Sequence, residues 1–287
     1  MVRTEIQALE TKLLNSISRF LRNDIAQSMH HGELLRQIQM VDPRSFLCGG
    51  AVRDILMSKL RGKKYIIPRD LDIVLSFEKP DKIAALFSNY YQRRNRYGGI
   101  EIHHKYWHVD IWSLEKTWAF EQKLVRGSSF RDFPSTTFLD IEAIAVQLFS
   151  KQGVKREIYS KGFFEAILTN TIDINLEDNP NPEGCIVRAL HVANKYSFKI
   201  GQKLAKYIAH FTHKTEMEEL EQIFRNRYLT RTTTDTLNFW INSIKEQLKT
   251  SQKSPVQLPT NSKYLQLDFE NIFLEKSNRE YSPTFNF

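Results

Sequence analysis

Two aspartates one residue apart, Asp70 and Asp72, are the side chains of this sequence that most clearly suggest chemistry. They stand at the start of an apolar run over residues 71–77 that is typical of a β-strand. Side chains alternate along a strand, so both carboxylates are expected on one face, close together. Such a pair repels itself unless it shares a divalent cation, and Mg²⁺ prefers oxygen ligands. The pair therefore predicts a Mg²⁺ site, although a solvated strand start shows the same pattern.

A glycine pair, Gly49-Gly50, lies between a short apolar run at residues 45–48 and a helix-like segment at residues 51–60. Glycine lets the backbone adopt positive φ and approach a ligand closely. A helix that starts at such a turn offers unpaired N–H groups and the positive end of its dipole, which favour phosphate. The arrangement predicts a strand, a phosphate-binding corner and a helix, whereas Gly-Gly alone is also common in turns.

A third carboxylate, Asp110, lies in the strand-like run His108-Val109-Asp110-Ile111-Trp112. An acid with apolar neighbours on both sides is either a paired edge residue or a site residue that projects into a cleft. Three carboxylates on neighbouring strands, beside a phosphate-binding corner, are what two-metal transfer of a nucleotide requires. The combination predicts this chemistry more specifically than any of its parts.

Two stretches, Gly49-Gly50-Ala51-Val52-Arg53-Asp54 and Arg69-Asp70-Leu71-Asp72-Ile73-Val74, carry a resemblance to a known family. They resemble the head-domain signature of the class II CCA-adding enzymes and bacterial poly(A) polymerases, within the DNA polymerase β nucleotidyltransferase superfamily. The resemblance implies that Asp70, Asp72 and Asp110 are catalytic and bind metal, with two Mg²⁺ ions expected. It also implies that the nucleoside triphosphate binds at Gly49, Gly50, Arg53 and Asp54.

The resemblance continues more weakly beyond these stretches. Residues 141–145 are similar to the family's I-N-A-I-A helix, and residues 188–198 to its neck helix. A competing register aligns Arg131-Asp132-Phe133 with the family's R-D-F, and the two registers hold together only with an insertion. Cys185 and His191 stand where the family has arginines that help to select the nucleotide. These departures leave open which nucleotide is used and whether CCA is made.

The spacing of apolar residues predicts the elements that must position these side chains. Helices are expected within residues 1–44 and at 51–60, 82–93, 139–149, 186–196, 203–211, 216–228 and 236–248. Strands are expected at residues 45–48, 71–77, 100–104, 107–112 and 172–174. The order predicts an α+β fold, with a nucleotidyltransferase head (a mixed sheet flanked by helices) followed by an all-helical neck and body.

Four regions are predicted along the chain. They are an N-terminal helical extension, the head, the helical neck and body, and a tail that is extended or partly disordered. Their expected bounds are residues 1–44, 45–150, 151–250 and 251–287.

Charge favours polyanionic partners, since the formal net charge is +8, although ordinary basic proteins share this balance. The basic residues predicted to bind RNA are Lys63, Lys64, Arg69, Arg93, Arg94 and Arg96. The run at residues 93–96 equally suits the C-terminus of a helix. The two cysteines argue against a disulfide framework and favour a cytoplasmic location. No run of about 18 apolar residues occurs, so no membrane partner is expected.

The sequence thus predicts a Mg²⁺-dependent transferase that moves NMP from a nucleoside triphosphate to an RNA 3′-hydroxyl and releases pyrophosphate. Two alternatives stay open: transfer to a protein or small molecule, and a catalytically silent RNA-binding relative. Three unmatched acids argue against the silent relative, because they are costly to keep close without metal. A histidine cluster at residues 103, 104 and 108 suits either zinc or a solvated strand edge. The nucleotide, the acceptor and the oligomeric state stay open.

Overall fold

The structure of this chain is a computed structural model. A mixed seven-stranded sheet forms the centre of its first part. The residues that the structure describes are 2–27, 32–62, 68, 70–76, 79–95, 97–103, 108–151, 153–213, 215–228, 232–250 and 254–259. The strands are β1 Phe46–Cys48, β2 Asp70–Leu75, β3 Tyr91–Arg94, β4 Ile100–His103, β5 His108–Ser113, β6 Ile144–Gln147 and β7 Ile158–Ser160. Their order is β3-β4-β5-β2-β1-β6-β7, in which β2 and β5 run parallel and the other neighbours antiparallel.

One face of this sheet is apolar and is covered by helices. Alternation along β2 and β5 sends Leu71, Ile73, Val109 and Ile111 to this face, where all four are buried. The covering helices are α1 Val2–Gln27, α2 Gly32–Val41, α3 Gly49–Leu60 and α4 Pro80–Leu86. They share one core with the sheet, and each fully buried leucine or isoleucine in it contributes about 1.5–3 kcal/mol. The first two helices therefore anchor one face of the sheet.

The opposite face divides into an aromatic end and an acidic end. At the aromatic end, Phe46 and Val74 pack with Phe120 and Phe133, and Phe120 belongs to the short helix α5 Trp118–Glu121. At the other end the same alternation presents the polar residues of β2, β4 and β5. The aromatic cluster packs on its own end of this face and does not cover the acidic end.

The second part of the chain is mostly helical. Its helices are α6 Phe163–Thr169, α7 Pro182–Tyr196, α8 Gln202–Phe211, α9 Met217–Tyr228 and α10 Thr234–Thr250. A small parallel pair, β8 Thr171–Ile172 and β9 Lys199–Ile200, joins them. Asn181 caps α7 by accepting a hydrogen bond from the Gly184 amide at 2.9 Å. Met57 of α3 packs into the core of these helices and so connects them to the first part of the chain.

The α+β fold class predicted from the sequence is confirmed, whereas one predicted helix is too long and another is wrong. The helix predicted at 82–93 ends at Leu86, and the chain returns as strand β3, so Arg93 and Arg94 lie on an edge strand. The helix predicted at 139–149 is a 3-10 turn, Asp140–Glu142, followed by β6. β6 lies between β1 and β7 with both faces buried, and such a strand is an unbroken apolar run that periodicity cannot distinguish from a helix.

The predicted tail is described only at residues 254–259. There Val256 and Ile200 exchange two backbone hydrogen bonds of 2.7 Å, which attaches this segment to β9. Residues 260–287 lie outside the described part of the chain. None of the helices among the described residues is long and apolar enough to cross a membrane.

Candidate active site

Strand register brings the three predicted acids together at the acidic end of the sheet. Asp72 of β2 is the partner of Asp110 on β5, and Asp70 is the partner of His108. Residues directly opposite on neighbouring strands share a face, and Asp70 and Asp72 share one by alternation. The three carboxylates therefore form one patch, which we call the acid patch.

A fourth acid, Glu101 of β4, borders the acid patch. It is the register partner of Asp110 and is 8% exposed. Arg93 of β3 donates two hydrogen bonds to its carboxylate, both of 2.9 Å. Sequence reasoning missed Glu101, although its place between Ile100 and Ile102 is a period-two signal for the polar face of a strand.

Negative charge is concentrated in the acid patch, where Oδ1 of Asp70 lies 3.6 Å from Nδ1 of His108. Burial, together with the charges of Asp110, Glu142 and Asp70, raises the pKa of Asp72 to about 7, against the opposing effect of Arg188. Burial also raises the pKa of Asp110 to about 6, where His108 opposes the rise and Glu101 adds to it. These shifts mean that the patch holds protons near neutral pH unless a cation replaces them.

The donor atoms of the acid patch suit a hard divalent cation. All of them are carboxylate oxygens, the ligands that Mg²⁺ prefers. Oδ1 of Asp110 is buried and has no hydrogen-bond partner among the described residues. A buried oxygen without a partner is costly, and a metal ion would remove that cost. The residues present therefore fit Mg²⁺.

The glycine corner opens directly onto the acid patch. Gly49 has φ +63°, a conformation that favours glycine, and a Cβ at this position would lie 3.2 Å from Oδ2 of Asp72. Cys48 precedes α3 without making a side-chain cap hydrogen bond. The N-terminus of α3 therefore lies next to Asp72 without a side-chain cap from Cys48. The uncapped N–H groups of a helix N-terminus bind phosphate in other proteins.

Arg53 is buried beneath this corner and is bonded to two carboxylates. It is 7% exposed, and it donates hydrogen bonds to Asp54 at 2.7 Å and to Glu142 at 2.5 Å. Glu142 also accepts a hydrogen bond from Arg188 of α7 at 3.0 Å. Burial opposes ionisation of Glu142, but Arg188 and Arg53 hold its pKa below the usual value. Glu142 is therefore an anion clamped between two arginines.

Asp54 joins the same network from the other side. It accepts hydrogen bonds from Nζ of Lys195 at 3.0 Å and from the Tyr196 hydroxyl at 2.7 Å. Burial opposes its ionisation, yet Arg53 and Lys195 hold the pKa of Asp54 well below its usual range. The Arg-Asp pair of α3 thus binds α7, and the glycine corner is held to the helical part by charge.

Arg188 is the most exposed of the three cations that bond Asp54 and Glu142. Its side chain is 44% exposed although it bonds Glu142, whereas that of Arg53 is 8% exposed. Arg188 also acts on the charge of Asp72. An exposed guanidinium that bonds a buried carboxylate and acts on Asp72 can bind an anionic group near the acid patch.

Two of the predicted RNA-binding residues have partners in the structure. Arg93 bonds Glu101, and Arg94 pairs with Asp81 of α4. The two side chains leave the edge strand on opposite faces, by alternation. The others, Lys63, Lys64, Arg69 and Arg96, lie outside the described residues.

Sequence reasoning did not single out Glu142, Arg188 and Lys195. A lone acid within the apolar residues 139–149 was one available signal, because a buried acid has a partner. The spacing of Arg188, His191 and Lys195 was another, since i, i+3 and i+7 lie on one face of a helix. Neither signal identifies the residue that the charged side chain contacts, because the contacting residues are far apart in the sequence.

Comparison with known proteins gives structural likeness only. No protein-family model and no curated protein matches the sequence. Solved structures with a similar fold include a tRNA-processing enzyme in an apo form, at 16% identity and a TM-score of 0.46, over 76% of this chain and 54% of that one. A CCA-adding enzyme with CTP is similar at 15% identity and a TM-score of 0.46, over 83% of this chain and 63% of that one.

A third similar structure is a tRNA nucleotidyltransferase complexed with a primer tRNA and an incoming ATP analog. It is 16% identical with a TM-score of 0.46, over 76% of this chain and 60% of that one. This chain thus spans between half and two thirds of the length of these proteins. At these identities and TM-scores the likeness assigns no activity to this chain.

Proposed function

We propose that this chain is a Mg²⁺-dependent nucleotidyltransferase that transfers NMP from a nucleoside triphosphate to the 3′-hydroxyl of an RNA. The observation that carries the proposal is the acid patch with a glycine corner against it: a side chain at Gly49 would press on Asp72. Three carboxylates lie at one end of one sheet face, and the N-terminus of α3 begins beside them. The motif resemblance around residues 49–54 and 69–74 supports the same reaction.

In the proposed reaction the 3′-oxygen attacks the α-phosphorus, the bond to the β-phosphate oxygen breaks, and pyrophosphate leaves. Asp70, Asp72 and Asp110 would hold Mg²⁺, which when bound stabilises the charge of the phosphates and of the attacking oxygen. Asp110 would bind Mg²⁺ through its buried Oδ1, which has no partner among the described residues, and its other oxygen can accept the proton of the attacking hydroxyl. The raised pKa of Asp110, about 6, suits a proton acceptor near neutral pH.

The triphosphate would lie between the glycine corner and Arg188. The amides at the start of α3 can donate to phosphate oxygens, and the Arg188 side chain is exposed and acts on the charge of Asp72. Arg53 is the residue that the resemblance assigns to triphosphate. Because its guanidinium is buried and bonded to Asp54 and Glu142, Arg53 would act on the triphosphate indirectly, by positioning the glycine corner.

Nucleotide choice is expected to be loose. Strict choice requires polar groups that lose their partners when the wrong base enters. At the two positions where the related enzymes have arginines, this chain has Cys185 and His191. Burial lowers the pKa of His191 to about 3, and its ring stacks on Tyr228 at a centroid distance of 3.7 Å. A neutral, stacked imidazole has fewer hydrogen-bond donors for the edge of a base than an arginine has.

The test is a transfer assay with each α-labelled nucleoside triphosphate, Mg²⁺, and separate total RNA and total protein fractions. We expect label at RNA 3′ ends with more than one nucleotide. Label only in the protein fraction would replace RNA by a protein acceptor. Absence of label in both fractions, from a folded protein, would contradict the proposed activity. A strict C-then-C-then-A product on tRNA that lacks its end would contradict the expected loose choice.

A further inference from the structure

We propose that Glu101, His103 and His108 form a binding site for a divalent transition metal ion, with Zn²⁺ as the best-suited ion. This site, the histidine site, lies beside the acid patch on β4 and β5. Each residue offers one ligand atom, and the three atoms lie within 4.8 Å of one another. The site uses none of the residues proposed to hold Mg²⁺, and the proposal does not depend on the transfer reaction.

The sheet register builds the histidine site. His103 and His108 are partners on antiparallel strands, and their rings stack at a centroid distance of 4.2 Å. Glu101 precedes His103 by two residues and therefore shares its face. Oε2 of Glu101 lies 3.4 Å from Nε2 of His103 and 3.9 Å from Nε2 of His108. Three side chains from two paired strands thus converge on one face of the sheet.

The nitrogen atoms at this site need a partner. Nε2 of His103 and Nε2 of His108 are both buried and make no hydrogen bond within the described part of the chain. Two buried imidazole nitrogens in that state, both facing one carboxylate, are costly unless something binds them. A metal ion binds neutral imidazole through its lone pair and carboxylate through oxygen, so one ion would satisfy all three groups.

The chemistry of the donor set selects the metal. Two imidazoles and one carboxylate form a common set for catalytic zinc, with a further position open to water or substrate. Imidazole suits zinc and its neighbours in the first transition row, whereas Mg²⁺ and Ca²⁺ prefer oxygen. The histidine site and the acid patch are therefore expected to select different ions although they are adjacent.

Binding requires small movements of side chains. Ligand atoms around a tetrahedral zinc ion lie about 3.3 Å apart, so the present group must contract by roughly 1 Å. Arg93 bonds both oxygens of Glu101, and its side chain is 64% exposed, so it can turn outward and release one of them. Arg93 thus competes with the metal for Glu101, and its removal is expected to tighten metal binding.

The test measures Zn²⁺ affinity by competition with a chromophoric chelator, on the full chain without nucleotide and with Mg²⁺ in excess to fill the acid patch. We expect one Zn²⁺ per chain. His103→Gln and His108→Gln should each weaken binding at least tenfold, which is about the loss that even outer-shell changes cause. Arg93→Ala should strengthen it. His210→Gln, at an exposed histidine of α8, and Asp72→Asn, in the acid patch, should leave it unchanged.

A second measurement on the wild-type chain needs no variant. Zn²⁺ titration followed by imidazole nitrogen NMR should shift the signals of His103 and His108 and leave that of His210 in place. Wild-type affinity in His103→Gln would overturn the proposal, as would loss of binding in Asp72→Asn or unshifted His103 and His108 signals at saturation. Failure of nucleotide transfer would not affect it, because neither measurement involves catalysis.

Discussion

Glu142 accepts a hydrogen bond of 2.5 Å from Arg53, a residue 89 positions earlier in the chain. Both side chains are almost fully buried, so the pair is a charged contact inside the protein. Arg188 bonds the second oxygen of Glu142 from α7. One carboxylate thus fixes the helix behind the glycine corner to the turn before β6 and to the helical part.

The first prediction tests this carboxylate. Glu142→Ala leaves the buried Arg53 guanidinium with one partner fewer, and loss of one member of a buried pair costs about 3–5 kcal/mol. We expect the free energy of unfolding, from urea denaturation monitored by circular dichroism, to fall by that order. Glu165→Ala, at an exposed position of α6, is the matched control and should change it by less than about 0.5 kcal/mol. Equal stability of the two variants would show that Arg53 does not need Glu142.

The second prediction concerns the acid patch. Asp72→Asn keeps the size of the side chain and removes a carboxylate oxygen charge, so transfer should fall by at least about 100-fold. Asp70→Asn should act in the same direction. The measurement is the initial rate of label incorporation at saturating nucleoside triphosphate and Mg²⁺. Asp178→Asn, at an exposed loop position, should keep the wild-type rate. A rate above about a tenth of wild type in Asp72→Asn would exclude Asp72 as a metal ligand.

The third prediction is a pH dependence without metal. The pKa of Asp72 is about 7 in the folded protein against an ordinary value of 3.8, so the folded state binds a proton that the unfolded state has released. Between those values the unfolded state binds fewer protons, and the free energy of unfolding therefore falls as pH rises from about 4 to 7.

Asp72→Asn removes this penalty. In the presence of a chelator we expect the variant to be more stable than wild type by about 1–3 kcal/mol at pH 8, with no difference near pH 4. Addition of Mg²⁺ should stabilise wild type at pH 8 and leave the variant nearly unchanged. Thermal denaturation at both pH values, with and without Mg²⁺, gives all four comparisons. A wild-type advantage at pH 8 without metal would contradict the raised pKa.

The fourth prediction assigns Arg188 to the triphosphate. Arg188→Lys keeps a positive charge near Glu142 but loses the planar fork that binds two oxygens. We expect KM for the nucleoside triphosphate to rise about tenfold, a loss of about 1.4 kcal/mol, with kcat changed less. Lys203→Ala, an exposed cation at the start of α8, is the control. Unchanged KM together with reduced stability would show that Arg188 serves Glu142 alone.

The residues of the acid patch and the glycine corner could be predicted from the sequence. The buried contacts that hold them in place could not. Asp70 and Asp72 share a face through strand alternation alone, and Gly49 needs positive φ because a turn follows a strand. The contact of Arg53 with Glu142 depends on where β6 enters the sheet, and that segment was predicted as a helix. A strand with one buried face shows alternating apolar and polar residues. Because β6 is buried on both faces, its residues do not alternate, and the sequence does not distinguish this strand from a helix.

The histidine site shows the same limit. The cluster at residues 103, 104 and 108 was visible in the sequence, but it was one acid short of a zinc site. Glu101 completes it only once register places β4 beside β5. The domain boundaries predicted near residues 44, 150 and 250 stay predictions, although α1 and α2 share a core with the sheet.

The last prediction concerns the acceptor. Lys63 and Lys64 lie in the segment before the acid-bearing strand, with residues 65–69 between them and Asp70, so an RNA whose 3′ end reaches the acid patch is expected to place phosphates near them. Each phosphate contact releases counterions, and log affinity should fall with log salt by roughly 0.7 to 0.9 per contact. Charge reversal in Lys63→Glu/Lys64→Glu should lower both the RNA affinity and this slope. Binding is measured by fluorescence anisotropy with a labelled single-stranded RNA over a salt series.

The matched control is Lys151→Glu/Lys155→Glu, because these exposed lysines lie between β6 and β7, and β7 is at the opposite edge of the sheet from β3. It makes the same change of four charges, so it reports the effect of net charge alone. We expect the first double variant to lose one to two units of slope and the control to keep the wild-type slope. Equal curves for the two would mean that the affinity follows net charge and that Lys63 and Lys64 are not contacts. Wild-type protein that binds no RNA at low salt would favour a protein or small-molecule acceptor, since the acid patch would then act on a substrate without a phosphate backbone.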